Sequence, residues 1–169
     1  MRLASNDGMI SEFSPDCSNC AALCCLALAF DAGEMFGHDK AAGVPCHQLN
    51  GFSCSIHAQL ASRGYGGCVA FDCLGAGQRV TALFEKTWRE QPKLTGPMME
   101  AFRQMREVQN LRQMLATASA LPLPETAEAE RQNWQSHLSE VAENLTRLAS
   151  FDPKPVRNWL RGLATHISR

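Results

Sequence analysis

Eight cysteines lie between residues 17 and 73, and the rest of the chain has none. They run as C-x2-C-x3-C-C (Cys17, Cys20, Cys24, Cys25), then Cys46 and Cys54, then Cys68 and Cys73. A fold that gathers so many thiols in so short a stretch can coordinate metal, form disulfides or exchange electrons. The compartment decides among these. Residues 1–16 carry Asp7, Glu12 and Asp16 and no apolar segment, so they do not read as a secretory signal. The most apolar run, Ala21 to Phe30, falls well short of the ~20 residues a membrane span requires. These features predict a cytoplasmic protein. In a reducing compartment a dense cysteine pattern is metal-binding or catalytic rather than a disulfide framework.

With 45% hydrophobic and 20% charged residues, the chain sits in the ordinary globular range, and a net charge of −1 gives no global field. Neither nucleic acid nor a membrane is therefore expected as a partner. Ser14-Pro15-Asp16 has the form of a helix entry, a capping hydroxyl followed by proline. A helix starting there puts Cys17, Cys20 and Cys24 on one stripe at i, i+3 and i+7, continued by Leu28. Cys25 then points about 100° away.

From Asp31 to Gly51 the chain reads as irregular, with Cys46 and Cys54 supplied by loops and a short helix expected over Ser55–Arg63. Gly64-Tyr65-Gly66-Gly67 leads into Cys68, and Cys73 precedes Gly75 and Gly77. Glycine beside a ligand cysteine lets backbone amides turn toward thiolate sulfur, although the same glycines also suit simple turns.

Beyond Gly77 the pattern becomes amphipathic helix. Arg79–Glu90 carries Val80, Leu83, Phe84 and Trp88, and a helix opening at Pro97 carries Met98, Phe102, Met105, Val108, Leu111 and Leu115. A third runs over Glu125–Ser150 with a heptad-like seam of Trp134, Leu138, Val141, Leu145 and Leu148, and a last short one shows Val156, Trp159, Leu160, Leu163 and Ile167. Met98, Met105 and Met114 read as core side chains rather than soft ligands. The expected architecture is mainly α. A loop-rich cysteine module, residues 1–78, packs on a bundle of about four helices, residues 79–169, and the two make one compact unit. The C-terminal helices, the Trp134–Leu148 seam above all, are where an unknown protein partner or a second copy would bind.

All eight cysteines, Cys17, Cys20, Cys24, Cys25, Cys46, Cys54, Cys68 and Cys73, are candidate metal ligands. Zinc takes four thiolates, and so does a [4Fe-4S] cluster, so spacing does not choose between them. Eight thiols make two sites, or one site with spare thiols, and adjacent Cys24 and Cys25 suit different centres better than one ion. His47 and His57 flank cysteines and read as neighbours of the ligands rather than ligands. His38 falls in a polar loop, and His137 and His166 on solvated helix surface. Cys54 with His57 is a nominal nucleophile–base pair, but many competing thiols argue against selective activation, and no catalytic residue is assigned. The alternatives are a metal-free thiol–disulfide redox protein, although no βαβ pattern surrounds Cys17, and a helical adaptor or interaction protein with a zinc staple.

Cys17-Ser-Asn-Cys20-Ala-Ala-Leu-Cys24-Cys25, Pro45-Cys46-His47-Gln48-Leu49 and Cys54-Ser55-Ile56-His57 resemble the CxxCxxCC proteins, a bacterial group described as chelating zinc or iron. This chain has one extra residue before the paired cysteines. A closer resemblance is to the cysteine-rich region that precedes pentapeptide repeats in some bacterial proteins. It is carried by Cys24-Cys25 with the apolar Leu26 to Phe30, and by Phe71-Asp72-Cys73 through Gln78; no pentapeptide repeat follows. The resemblance implies a metal or cluster site and no established reaction.

Overall fold

The apolar stripe from Met98 to Leu115 becomes the axis of the fold. The computed structural model describes residues 12–164. Its elements run α1 (Leu23–Ala27), β1 (Leu49–Asn50), β2 (Ser53–Cys54), α2 (Gly66–Ala70), α3 (Ala76–Ala82), α4 (Thr95–Ala118), α5 (Glu125–Ala142), α6 (Leu145–Ala149) and α7 (Lys154–Gly162). The strands form an antiparallel hairpin with Leu49 opposite Cys54. The architecture is mainly α, as the periodicity predicted. No helix among the described residues is long and apolar enough to cross a membrane.

Along α4, Met98, Phe102, Met105, Val108, Leu111 and Leu115 all turn inward, three or four residues apart. The stripe packs against α5 and α7 and against α3 and α1. One apolar core results, joining Leu23 and Leu26 of α1, Val80 of α3, Leu138 of α5, Leu148 of α6 and Val156 of α7. Each large side chain buried there contributes roughly 1.5–3 kcal/mol. α3 runs across residues 78 and 79, so one element joins the cysteine-bearing region to the bundle. A buried polar chain reinforces that junction. Arg112 is 3% exposed, ion-pairs with Glu12, and donates to Gln109 Oε1 (2.6 Å), while Gln109 Nε2 donates to Leu74 O (2.7 Å).

Several sequence expectations are corrected. The single helix through Cys17, Cys20 and Cys24 does not form: a 3-10 turn over Cys17–Asn19 is followed by extended Cys20 and left-handed Ala22 (φ 55°) before α1 begins. Tertiary partners occupy the backbone at the break, since Ala21 N donates to Thr81 Oγ1 (2.9 Å) and Trp88 Nε1 to Ala21 O (2.7 Å). The expected cap also moves, because Asp16 rather than Ser14 accepts from Ser18 N. Over Ser55–Arg63 only a 3-10 turn, His57–Gln59, forms.

The helix expected over Arg79–Glu90 stops at Ala82. Thr87 and Glu90 start a separate turn by reciprocal capping, Thr87 N to Glu90 Oε2 at 2.8 Å and Glu90 N to Thr87 Oγ1 at 3.4 Å. The helix expected over Glu125–Ser150 divides at Asn144, which is extended and caps α6 by accepting from Arg147 N at 3.0 Å. Leu138, Val141 and Leu148 of its seam face the protein's own core, which removes them as an exposed docking stripe. Met98 and Met105 are core as expected, whereas Met114 is 46% exposed. Ile167 and His166 lie outside the described residues.

Candidate metal centre

None of the eight cysteines is fully buried: Cys17 is exposed and the other seven are half-buried. Cysteine that merely fills a core is among the most completely buried residue types, and these are not. All eight are free thiols.

The segment carrying Cys17 and Cys20 lies along α3. Asp16 N donates to Gln78 Oε1 (3.1 Å), Gln78 Nε2 donates to Ser14 O (2.9 Å), and Cys20 Sγ rests on the bare backbone of Gly77, where a β-carbon would come within 2.6 Å of the sulfur. Cys73 sits in the turn entering α3, its carbonyl accepting from Ala76 N at 2.9 Å. Beside it opens a polar cleft of about 390 Å³, lined by Asp72, Arg103, Arg106, Glu107 and Asn110. Cys24 and Cys25 are on α1. Cys46 N donates to Cys25 O (3.0 Å) and Leu49 N to Cys46 O (2.9 Å), so the β1–β2 hairpin hangs from α1 and brings Cys54 with it. Cys68 comes from α2, which is tied to the 30–40 loop by Gly67 N to Met35 O (3.0 Å). A side chain at Gly67 would overlap the Phe36 ring.

The thiols act on one another electrically. Burial pushes the Cys17 thiol up, and Cys24 and Cys73 push it further. Burial also raises Cys20, with Cys24 and Cys73 adding to it and the Leu23 N–H opposing it by donating to the sulfur. Burial raises Cys68, followed by the charges of Cys24, Cys46 and Cys54. The Cys24 and Cys25 sulfurs are 4.0 Å apart. Hydrogen bonding from Cys25 lowers Cys24 to about 7 against its burial, helped by backbone N–H groups and Lys40, while Cys25 holds its proton and is raised.

Lys40 is 6% exposed, and its Nζ donates to Leu26 O (3.1 Å) and Leu28 O (2.5 Å) at the end of α1 and to Ala41 O (3.2 Å) beside it. Burial lowers its pKa, and Cys46, Cys25 and Cys24 counteract that. The sequence reading missed this lysine; a lone Lys in a loop of polar residues gives no signal of being buried. Among the described residues, both non-glycine positions with left-handed backbone, Ala22 (φ 55°) and Leu74 (φ 52°), stand within two residues of a candidate ligand. Backbone held in that region costs of order 1 kcal/mol and gathers at functional sites.

Among the described residues no three His, Cys, Asp or Glu side chains stand as a ready-made group around an ion. The donor chemistry fits a metal nonetheless: all-sulfur donors, backbone N–H groups aimed at Cys20 and Cys24, and a buried cation against the thiolate charge. His47 packs its ring 3.9 Å from that of His38, whose Nδ1 is 3.0 Å from the Tyr65 hydroxyl. His38 is therefore part of a ring cluster with Tyr65 and Phe30 rather than free in a polar loop. His57 and His137 are exposed.

No protein-family model matches the chain, and no solved structure does. An uncharacterized protein of Bacillus subtilis (strain 168), YybG, is 33% identical over 147 residues, covering 85% of this chain and 51% of that protein. The chain thus spans about half the length of the curated relative it matches.

Proposed function

We propose that this chain is a metal-binding protein that holds zinc or an iron–sulfur cluster through cysteine thiolates, in a structural or redox role in the cytoplasm. The observation that carries this reading is the lack of fully buried apolar side chains in the loops that carry Cys46 and Cys54, while Cys20, Cys24 and Cys73 sit at the edge of the apolar core. Between Ala27 and Gly64 the one buried residue is Lys40, and yet the segment is folded back on α1, with Cys46 N bonded to Cys25 O and Cys54 carried on the adjoining hairpin. A stretch that long whose apolar contacts are the partly buried Leu49 and Phe52 and the Phe30–Phe36 stack gains from another source of order, and thiolate–metal bonds supply folding free energy directly. When bound, zinc contributes a tetrahedral cross-link, and a cluster contributes electron storage as well. The resemblance to cysteine-rich chelating regions points the same way.

The test is anaerobic purification followed by a visible spectrum and elemental analysis. Brown protein with equal iron and sulfide supports a cluster, and colourless protein with stoichiometric zinc supports a structural ion. Folded protein with neither defeats the proposal. A second reading is favoured by the 4.0 Å Cys24–Cys25 contact and the low pKa of Cys24, at about 7: metal-free thiol–disulfide exchange. It expects reversible loss of titratable thiols on mild oxidation of a chain that carries no metal.

A further inference from the structure

Resting on that reading, we propose that the eight cysteines make two four-thiolate centres, Cys17/Cys20/Cys24/Cys73 and Cys25/Cys46/Cys54/Cys68, which adjoin where Cys24 meets Cys25. The backbone sorts the sulfurs this way. In the first set, the segment bearing Cys17 and Cys20 is bonded to α3 through Gln78 and Thr81, and Cys73 is in the turn that starts α3. Cys20 Sγ lies on Gly77, four residues beyond Cys73, so the packing of one segment on one helix puts Cys17, Cys20 and Cys73 on the same end of α3. In the second set, Cys46 is bonded to Cys25 through the backbone, and the hairpin carries Cys54 from there. Cys68 is tied in through the 30–40 loop, which Lys40 fastens to α1 at Leu26 O.

The electrostatic neighbours follow this division except at Cys24, which is the foremost thiol acting on Cys25 and Cys68 as well. Cys24 and Cys73 act on both Cys17 and Cys20, while Cys46 and Cys54 act on both Cys25 and Cys68. Cys24 also acts on Cys25 and Cys68, which puts it at the junction. Vicinal cysteines cannot easily serve one tetrahedral ion, and assigning one to each centre removes that difficulty.

The two centres differ in surroundings. The buried Lys40 ammonium stands by Cys46, Cys25 and Cys24 and offsets negative charge at the second centre. The first has exposed Cys17 and the polar cleft at Cys73. The first centre is therefore the one that a chelator reaches sooner.

The test titrates the metal-free, reduced full chain with cobalt(II), anaerobically, following the sulfur-to-cobalt and tetrahedral bands. Saturation at two equivalents is expected. Cys17→Ser with Cys73→Ser should reduce this to one, as should Cys54→Ser with Cys68→Ser. Saturation at one equivalent overturns the two-centre inference and leaves metal binding standing; no cobalt binding overturns the functional reading with it. If a variant does not fold, chelator-driven release from the wild type decides. Two phases of equal amplitude are expected, and a single phase releasing one equivalent refutes the pairing.

Discussion

Along α4 six large apolar side chains from Met98 to Leu115 are buried, whereas from Ala27 to Gly64 the buried residue is the cation Lys40. The bundle is held by area removed from water. The cysteine-bearing loops are held by Leu49 and Phe52 at the edge of the core, the Phe30–Phe36 stack, single backbone hydrogen bonds, a two-residue hairpin and three carbonyls around an ammonium. Hydrophobic burial is non-directional and tolerates imperfect sequence, while point contacts of net worth about 1 kcal/mol each need something further to fix their geometry. One chain thus contains a part that folds by sequence pattern and a part that calls for a cross-link.

Metal removal should separate the two most sharply. A strong chelator under reducing conditions should strip hydrogen-exchange protection from residues 25–68 while amides of α4 and α5 stay protected. Structural zinc contributes on the order of 10 kcal/mol to small thiolate domains, so the effect on the loops should be near complete. Equal loss in both regions would erase the distinction.

The converse perturbation is Leu138→Ala, at a side chain with 0% exposure. It should cost about 2–5 kcal/mol in urea unfolding, with metal content per folded chain unchanged. Parallel loss of metal would show that the regions are not separately supported. Asn144→Ala, which removes the α6 cap, should cost about 1 kcal/mol by the same measurement.

The smallest effect is in acid. Hydrogen bonds from Arg131 and Gln132 hold the Glu128 carboxyl at about 2, below its ordinary 4.5. A depressed folded-state value means that this support is complete above about 4.5 and disappears as pH falls toward 2. Glu128→Gln should therefore flatten the bundle's stability profile across that window, and an unchanged profile would remove Glu128 from the account.

The α4 stripe was legible because one period, with its residues three or four apart, specifies both the helix and its buried face. Asn144 and the Thr87–Glu90 pair were legible too, as a cap residue and a T-x-x-E box, but periodicity alone ran straight through both. The course of Cys17 to Cys24 was not. Its break depends on Thr81 and Trp88, which take the N–H and carbonyl of Ala21 from more than fifty residues away. That the thiols mattered could be read from composition; how they divide into sets could not, because it follows from which segment lies on α3 and which hangs from α1.

Trp88 has a consequence of a practical kind. Its indole is 7% exposed and is hydrogen-bonded to the carbonyl of Ala21, the residue after Cys20. An optical reporter is thus built into the seam between the sulfur-rich loops and the helices. Red-shifted emission would announce their separation without any label, and Phe in place of Trp134 and Trp159 would leave that one fluorophore to be watched.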